Sequence, residues 1–131
     1  MNREILFKAK RKDNDKWVEG YYVYCRKRHY ILPVLNKAIG FDEREDEWIE
    51  IDLNTLCQYT GLKDKNGEKI WENDILELLD EDGYFMCEWE EDTARFVMNG
   101  DEIIVDFDNY WGYQVEVISN IFDNEELLEV E

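Results

Sequence analysis

The fold is decided by residues 58–75, which read QYTGLKDKNGEKIWENDI. A strand-like end at Tyr59 and Thr60 meets Gly61. Asn66 and Gly67 then supply the two residue types that most readily take a positive φ in a tight turn. The chain is therefore expected to reverse direction within this segment.

After the reversal, the segment changes from turn residues to core residues. Ile70 and Trp71 offer apolar bulk, and Ile75 opens a strand-like run. Between them, Asp74 is expected to anchor a second turn through its carboxylate, as short polar side chains commonly do. These residues specify a scaffold, and none of them fixes a reaction or a ligand.

The same segment resembles the signature of the YopX family, small proteins encoded by phages and prophages. Together with Asn66, the residues that carry the resemblance form a structural motif made of Tyr59, Thr60, Gly61, Leu62, Asp64, Asn66, Gly67, Ile70, Trp71, Glu72, Asp74 and Ile75. The chain departs from the family pattern at Lys10, where the family usually has Trp, and at Asn73, where it usually has Gly. Asn is the best non-glycine residue at left-handed φ, so the turn is expected to survive. The resemblance implies a phage-borne, mainly β protein that self-associates, and it implies no particular activity.

The composition indicates a folded, mainly β chain. Hydrophobic residues make up 44% of the 131 residues and aromatic residues 15%, which is enough to bury a core in one domain over residues 1–131. Strand-like runs recur about every ten residues, the spacing of a small barrel-like or sandwich domain with about eight strands. A short helical turn is expected near 52–56, where Asp52 is placed to cap it, and a short C-terminal helix at 123–128.

No cofactor or metal is expected. The three cysteines, Cys25, Cys57 and Cys87, form no CxxC pair, so they are expected to be buried, reduced thiols in a cytoplasmic protein of the host cell. The chain has no apolar run near 18 residues and no charged-then-apolar N-terminal signal, so neither a membrane span nor secretion is expected.

An enzyme is not expected either. The chain holds one Ser, Ser119, and one His, His29. A Ser-His-acid catalytic triad is therefore not expected. Gly-rich phosphate loops are absent. Cys25 and His29, if they lie on one strand, share a face about 13 Å apart and do not touch. A calcium loop with Gly67 at its sixth position would need carboxylates where Leu62 and Asn73 stand.

Charge is the strongest global signal, and it is unevenly placed. Residues 1–37 hold 10 Lys or Arg and 4 Asp or Glu, whereas residues 38–131 hold 5 and 29, which gives +6 and −24 within the total of −18. The chain thus has a basic N-terminal lobe at about 1–37 and an acidic barrel-like part at about 56–131. Opposite charges at two ends would orient head-to-tail self-assembly.

Three binding functions follow from this pattern. The favoured one is protein–protein contact by a non-enzymatic phage or prophage accessory protein, as a homo-oligomer or with a host protein. The alternative is a nucleic-acid interface, which the net charge disfavours, formed by Lys8, Lys10, Arg11, Lys12, Arg26, Lys27 and Arg28. A third is an acidic DNA mimic that blocks a host DNA-binding protein. Mimicry predicts that the acids of 42–50, 77–82 and 101–108 share one rim.

Overall fold

The structure is a computed structural model that describes residues 5–33, 48–79, 81–100, 103–107 and 114–128. The chain divides into two compact units, Met1–Gln58 and Tyr59–Glu131. The boundary falls inside a single strand that begins at Cys57. The loop predicted over residues 36–47 lies outside the described residues.

The secondary structure is mainly β, as predicted. The strands are β1 Phe7–Lys10, β2 Trp17–Cys25, β3 Arg28–Pro33, β4 Ile49–Glu50, β5 Cys57–Lys63, β6 Lys69–Trp71, β7 Asp74–Leu78, β8 Tyr84–Glu90, β9 Arg95–Asn99, β10 Ile104–Asp106 and β11 Val115–Asn120. A 3₁₀ turn spans Leu53–Thr55, and the helix α1, Ile121–Asn124, continues into a 3₁₀ turn, Glu125–Leu128.

The strands form two antiparallel sheets. The six-stranded sheet has the order β4-β3-β2-β1-β5-β6, and the five-stranded sheet has the order β10-β9-β8-β7-β11. Within the described residues neither sheet closes into a barrel. The same residues form eleven strands rather than the expected eight, because β4, β6 and β10 have only two or three residues, too few to show an alternating pattern.

The core of the first unit lies on one face of its strands. Ala9, Ile31 and Ile51 are buried there, and partly buried neighbours complete the cluster: Phe7, Val18, Tyr22 and Leu56. An isolated antiparallel bridge joins Ile51 to Arg11. This bridge brings the segment after β4 beside the segment after β1, so the sheet curls around the core.

The core of the second unit is larger. It consists of Ile70, Leu76, Leu78, Phe85, Cys87, Met98 and Val115, all at most 2% exposed. Side chains alternate along each strand, so Phe85 and Cys87 of β8 face this core together with Met98 of β9, the strand partner of Cys87. Trp71 and Ile75 are also buried.

Both helical predictions are confirmed. The Asp52 side chain accepts a hydrogen bond from the Asn54 N–H at 3.0 Å, which caps the 3₁₀ turn. Asn120 caps α1 by accepting from the N–H groups of Phe122 and Asp123. The helix therefore begins at Ile121, two residues before the expected start, because Asn120 is its cap.

The reversal inside residues 58–75 is built by Asp64. Gly67 has a φ of +80°, whereas Asn66 is not among the residues with positive φ. The Gly67 N–H donates to the Asp64 carbonyl at 3.0 Å, and the Asp64 N–H donates to the Glu68 carbonyl at 2.8 Å. The expected turn on Asn66 and Gly67 is thus a three-residue loop in which only Gly67 is left-handed.

The Asp64 carboxylate is buried, with 6% exposure, and it accepts three backbone hydrogen bonds. Its Oδ1 accepts from the N–H groups of Asn66 and Glu68, each at 2.9 Å. Its Oδ2 accepts from the Val117 N–H at 2.9 Å, 53 residues along the chain. One carboxylate therefore closes the loop and attaches it to β11.

A second buried carboxylate orders the next turn. Asp74 is 2% exposed, and its Oδ2 accepts from the Trp71 N–H at 2.8 Å. Asn73 has a φ of +72°, so Asn occupies the left-handed position where the family usually has Gly. Its N–H donates to the Cys87 carbonyl at 2.7 Å. The turn thus connects β6, β7 and β8.

We predict that Asp64→Asn lowers the free energy of unfolding by about 2–4 kcal/mol. An amide retains one acceptor oxygen, so its NH₂ group would face a backbone N–H that now has a carboxylate oxygen. The measurement is urea denaturation followed by tryptophan fluorescence. Asp92→Asn makes the same chemical change at an exposed site and should stay within about 0.5 kcal/mol of the parent. Equal stability of the two variants would show that the three hydrogen bonds contribute little.

Candidate functional site: the basic hairpin and its cleft

The hairpin of β2 and β3, called here the basic hairpin, turns on two cationic residues. Cys25 pairs with Arg28 across the hairpin, which leaves Arg26 and Lys27 as the loop, with φ of +50° and +66°. Two consecutive positive φ values identify a type I′ turn, for which Asn-Gly is the preferred sequence. Long side chains with a Cβ are strained in this conformation.

Three aromatic rings cluster on the same hairpin. The Tyr22 hydroxyl and His29 Nδ1 share a hydrogen bond of 2.5 Å, and these two rings stack with centroids 5.8 Å apart. Tyr24 also contacts His29, with ring centroids 4.9 Å apart and a tilt of 36°, and it is 60% exposed. Because Nδ1 of His29 is bonded to Tyr22, Nε2 is the ring nitrogen that can make other contacts.

Cationic residues from separate segments meet at one open cleft of about 630 Å³. This basic cleft is lined by Lys12, Lys27, Arg28, His29, Glu50, Ile51, Asp52 and Leu53. Backbone hydrogen bonds hold the segments together: the Lys12 N–H donates to the Glu50 carbonyl, and the Ile51 N–H donates to the His29 carbonyl, both at 3.0 Å. The site is thus assembled by the curled sheet rather than by one segment.

The two acids of the cleft have different partners. The Asp52 carboxylate caps the 3₁₀ turn. Glu50 lies 3.5 Å from Lys12 Nζ and 3.7 Å from the Arg28 guanidinium. Charged hydrogen bonds are usually 2.7–2.9 Å long, so these pairs are loose and leave the donors of Lys12 and Arg28 able to bind an anion.

The other predicted cations lie elsewhere in the first unit. Lys8 and Lys10 flank the ring of Trp17, with Nζ atoms 4.5 and 5.5 Å from its centroid. Arg11 makes a bidentate contact with Asp13 at 3.0 and 2.9 Å. Of the seven predicted residues, the structure therefore brings Lys12, Lys27 and Arg28 together at the cleft, with Arg26 in the adjacent turn.

The Arg11 contact changes the acidity of both partners. Hydrogen bonding to the guanidinium lowers the pKa of Asp13 from its ordinary value of 3.8. The same hydrogen bond raises the pKa of Arg11 above its ordinary value. Arg11 is thereby committed to a neighbouring carboxylate and not to the cleft.

Cys25 and His29 are on opposite strands, not on one strand as considered above, because the two-residue turn separates them. His29 pairs with Tyr24 in the strand register. All three cysteines are free, and Cys57 and Cys87 are buried as expected, whereas Cys25 is half-buried. Among the described residues, no three or more His, Cys, Asp or Glu side chains are placed to hold a metal ion.

The acids named for mimicry are only partly within the described residues. Glu77, Glu81 and Asp82 line one cleft of about 270 Å³ in the second unit, together with Lys65 and Glu116, which form an ion pair of 3.0 Å. Asp106 pairs with Arg95 at 2.9 Å. Residues 42–47, 80, 101–102 and 108 lie outside the described part, so the shared rim stays a prediction.

The comparisons with known proteins identify the family. The family model described as YopX protein matches residues 6–129. The chain belongs to the YopX family. A search of the curated proteins found no match. Among solved structures, the YopX chain is similar to the crystal structure of protein EF1440 from Enterococcus faecalis, with a TM-score of 0.62 and 22% identity over 97% of this chain and 99% of that one.

The similarity to EF1440 shows that the two chains share a fold. It extends over both units of the YopX chain, because nearly all of each chain is covered. In the described residues, no helix is both long and apolar enough to cross a membrane.

We predict that the double variant Arg26→Asn, Lys27→Gly is more stable than the parent by about 1 kcal/mol, because Asn and Gly tolerate left-handed φ. Thermal denaturation followed by circular dichroism measures the change. The double variant Arg26→Ala, Lys27→Ala removes the same charges and keeps a Cβ at both positions. It should gain no stability. A similar gain in both variants would assign the effect to charge and not to strain.

We predict that Arg11→Gln raises the pKa of Asp13 toward 3.8. The folded-state pKa is lowered, so the contact stabilises the fold above the unfolded-state pKa and is lost as the pH falls through the folded-state value. The difference in melting temperature between parent and variant should therefore narrow below about pH 4. The measurement is a carbon-detected NMR titration of the Asp13 carboxyl. An unchanged Asp13 pKa would contradict the assigned contact.

Proposed function

We propose that this protein acts without catalysis, by protein–protein contact, and that it self-associates through the edge of its five-stranded sheet. The observation that carries the proposal is strand β10. It is the outermost strand of that sheet among the described residues, and Ile104 within it is 59% exposed. Ile103, just before the strand, is also exposed.

The geometry of β10 suits the addition of another strand. The Gly100 N–H donates to the Ile103 carbonyl at 2.8 Å, so the next pair, Asn99 and Ile104, is a non-hydrogen-bonded pair. The N–H and C=O of Ile104 therefore point away from β9. Natural edge strands are protected by short length, charged side chains, Pro or a bulge. β10 is short, but it has no Lys, Pro or bulge, and the charge of its Asp106 is paired with Arg95. A second copy of β10 would place Ile104 beside Ile104 in an antiparallel pair.

The opposite edge of the same sheet is occupied. Lys65 N–H donates to the Val115 carbonyl at 2.9 Å, and Val117 N–H donates to the Asp64 carboxylate. The loop that contains Asp64 thus covers part of β11. Self-association is consequently proposed at β10 and not at β11.

The association should be weak. A three-residue edge supplies less than the roughly 800 Å² per partner of a stable interface, and two copies of charge −18 repel each other. The proposed contact consists of backbone hydrogen bonds and isoleucine side chains. Its affinity rises when salt screens this repulsion. Salt should therefore strengthen the β10 contact, whereas salt would weaken a head-to-tail contact between basic and acidic surfaces.

The non-enzymatic part of the proposal is supported by the bonding of the one His and the one Ser of the chain. His29 Nδ1 is bonded to the Tyr22 hydroxyl, and the Ser119 hydroxyl is bonded to the Asn124 side chain. Both have structural partners within their own unit. From the family membership we infer an accessory protein of a phage or prophage that works in the host cytoplasm.

A second candidate function is nucleic-acid binding by the basic hairpin. The observation that favours it is the convergence of Lys12, Lys27 and Arg28 on one cleft. The exposed ring of Tyr24 lies on the same hairpin as Lys27 and Arg28. Cations that contact phosphates and rings that stack on bases are the usual elements of single-strand binding.

We predict that the protein forms dimers at high concentration and that the dimer fraction rises between 50 and 500 mM salt. Sedimentation velocity over a concentration series measures this fraction. Ile104→Lys should abolish dimers, because a charge on the edge opposes strand pairing. Ile118→Lys places the same charge on β11, at a side chain 37% exposed, and should leave the dimer intact.

Two outcomes would contradict the proposal. A dimer that survives Ile104→Lys would exclude the β10 edge. A dimer that weakens with salt would assign the contact to opposite charges, as the head-to-tail arrangement predicts.

A further inference from the structure

The side chains of the basic hairpin lie on two opposite faces. Ile31 of β3 and its strand partner Tyr22 face the core of the first unit. Because side chains alternate along a strand, Arg28 and Tyr30 of β3 and Tyr21 of β2 lie on the opposite face, called here the outer face. The register between the two strands is continuous, so this division holds along the whole hairpin.

The anion donors of the basic cleft belong to the outer face. Glu50 of β4 is the strand partner of Tyr30, and its carboxylate lies 3.7 Å from the Arg28 guanidinium and 3.5 Å from Lys12 Nζ. Lys27 of the turn lines the same cleft. A guanidinium and an ammonium group that one carboxylate holds only loosely are able to contact a phosphate, which arginine binds bidentately.

Aromatic rings lie beside these donors on the same face. Tyr30 follows Arg28 by two residues along β3, a distance of about 7 Å. The ring of Trp48 contacts that of Tyr30, with centroids 5.8 Å apart. Tyr21 is two residues from Val23, the strand partner of Tyr30. Trp48 is 37% exposed and Tyr21 is 47% exposed, so both present ring surface to a ligand.

The outer face differs in composition from an ordinary solvated sheet face. Antiparallel sheets with one face in solvent usually carry polar side chains on that face. Between Tyr21 and Leu32, every outer strand position except Arg28 is apolar or aromatic. Exposed apolar surface with a charged rim is typical of a binding surface. Cations for phosphates and rings for bases are the combination that binds single strands.

We propose that single-stranded nucleic acid binds across the outer face. Its bases stack on Tyr21, Tyr30 and Trp48, and its phosphates contact the three cations of the basic cleft. This inference rests on the second candidate function and names the surface and the form of nucleic acid. Bases must be unpaired to stack on protein side chains, so a duplex offers only its phosphates. Glu50, which lies between the cations, competes with the phosphates.

Binding is measured by fluorescence anisotropy with a fluorescein-labelled (dT)20 strand at salt concentrations from 50 to 300 mM. The strand should bind more tightly than a (dT)20·(dA)20 duplex, because only the strand has bases free to stack. The slope of log K against log salt reports the number of phosphate contacts, at about 0.7 per contact for a single strand. Stacking and phosphate contact are thus measured separately.

The variants test each part of the surface. Tyr21→Leu should weaken binding of (dT)20 by roughly 5- to 100-fold and leave the salt slope unchanged, since it removes a ring and no charge. Tyr24→Leu is the matched control, because it removes an exposed tyrosine from the inner face of the same strand, and it should bind as the parent does. Arg28→Gln should reduce the magnitude of the slope by about 0.7. Glu50→Gln should tighten binding. Thermal melts verify that the four variants fold.

Different failures have different meanings. If Arg28→Gln reduces the slope but Tyr21→Leu binds (dT)20 as the parent does, the second candidate function holds and the stacking face is overturned. A duplex that binds as tightly as the strand leads to the same conclusion. If (dT)20 does not bind the parent at 50 mM salt, both the inference and the second candidate function fail. If a hexaglutamate peptide displaces labelled (dT)20 as well as unlabelled (dT)20 does, the surface takes an acidic protein segment and the single-strand assignment is overturned.

Discussion

The buried carboxylate of Asp64 is the interaction on which the second unit depends. Burying a charge is costly unless hydrogen bonds compensate it, and Asp64 has three charge-assisted bonds, to Asn66, Glu68 and Val117. Two of them define a local loop, and the third joins that loop to a strand far along the chain. Loop shape and sheet assembly are therefore coupled: neither can change without leaving a backbone N–H or the carboxylate unsatisfied.

Both units contain residues with positive φ in their turns, but the types of residue at these positions differ. In the second unit the positions around the Asp64 and Asp74 turns are held by Gly67 and Asn73, which tolerate positive φ at little cost. In the first unit the β2–β3 turn is held by Arg26 and Lys27, which do not. The Asp64 and Asp74 turns thus follow local preference, whereas the turn of the basic hairpin is imposed by the pairing of its strands.

This difference explains what the sequence could predict. The mainly β class, the cap at Asp52 and the buried Ile70 and Ile75 follow from local composition and from residues whose chemistry signals a turn or a cap. The bond from Asp64 to Val117 could not be predicted, since it spans 53 residues and has no local signature. The hairpin at Arg26 and Lys27 was missed because two basic residues carry no turn signal. The basic cleft depends on that hairpin and on the curl of the sheet that brings Ile51 to it. The cleft could therefore not be predicted either.

A total charge of −18 does not decide the electrostatics of such a cleft. Screening at physiological salt acts over about 8 Å, so an anion in contact with Lys27 and Arg28 responds mainly to groups at contact distance. Among those groups, Asp52 is engaged as a cap and Glu50 is shared between two cations. The distant acids reduce the rate at which an anion approaches more than the affinity it has once bound. Local geometry, and not net charge, therefore determines whether this part of an acidic protein accepts a negative ligand.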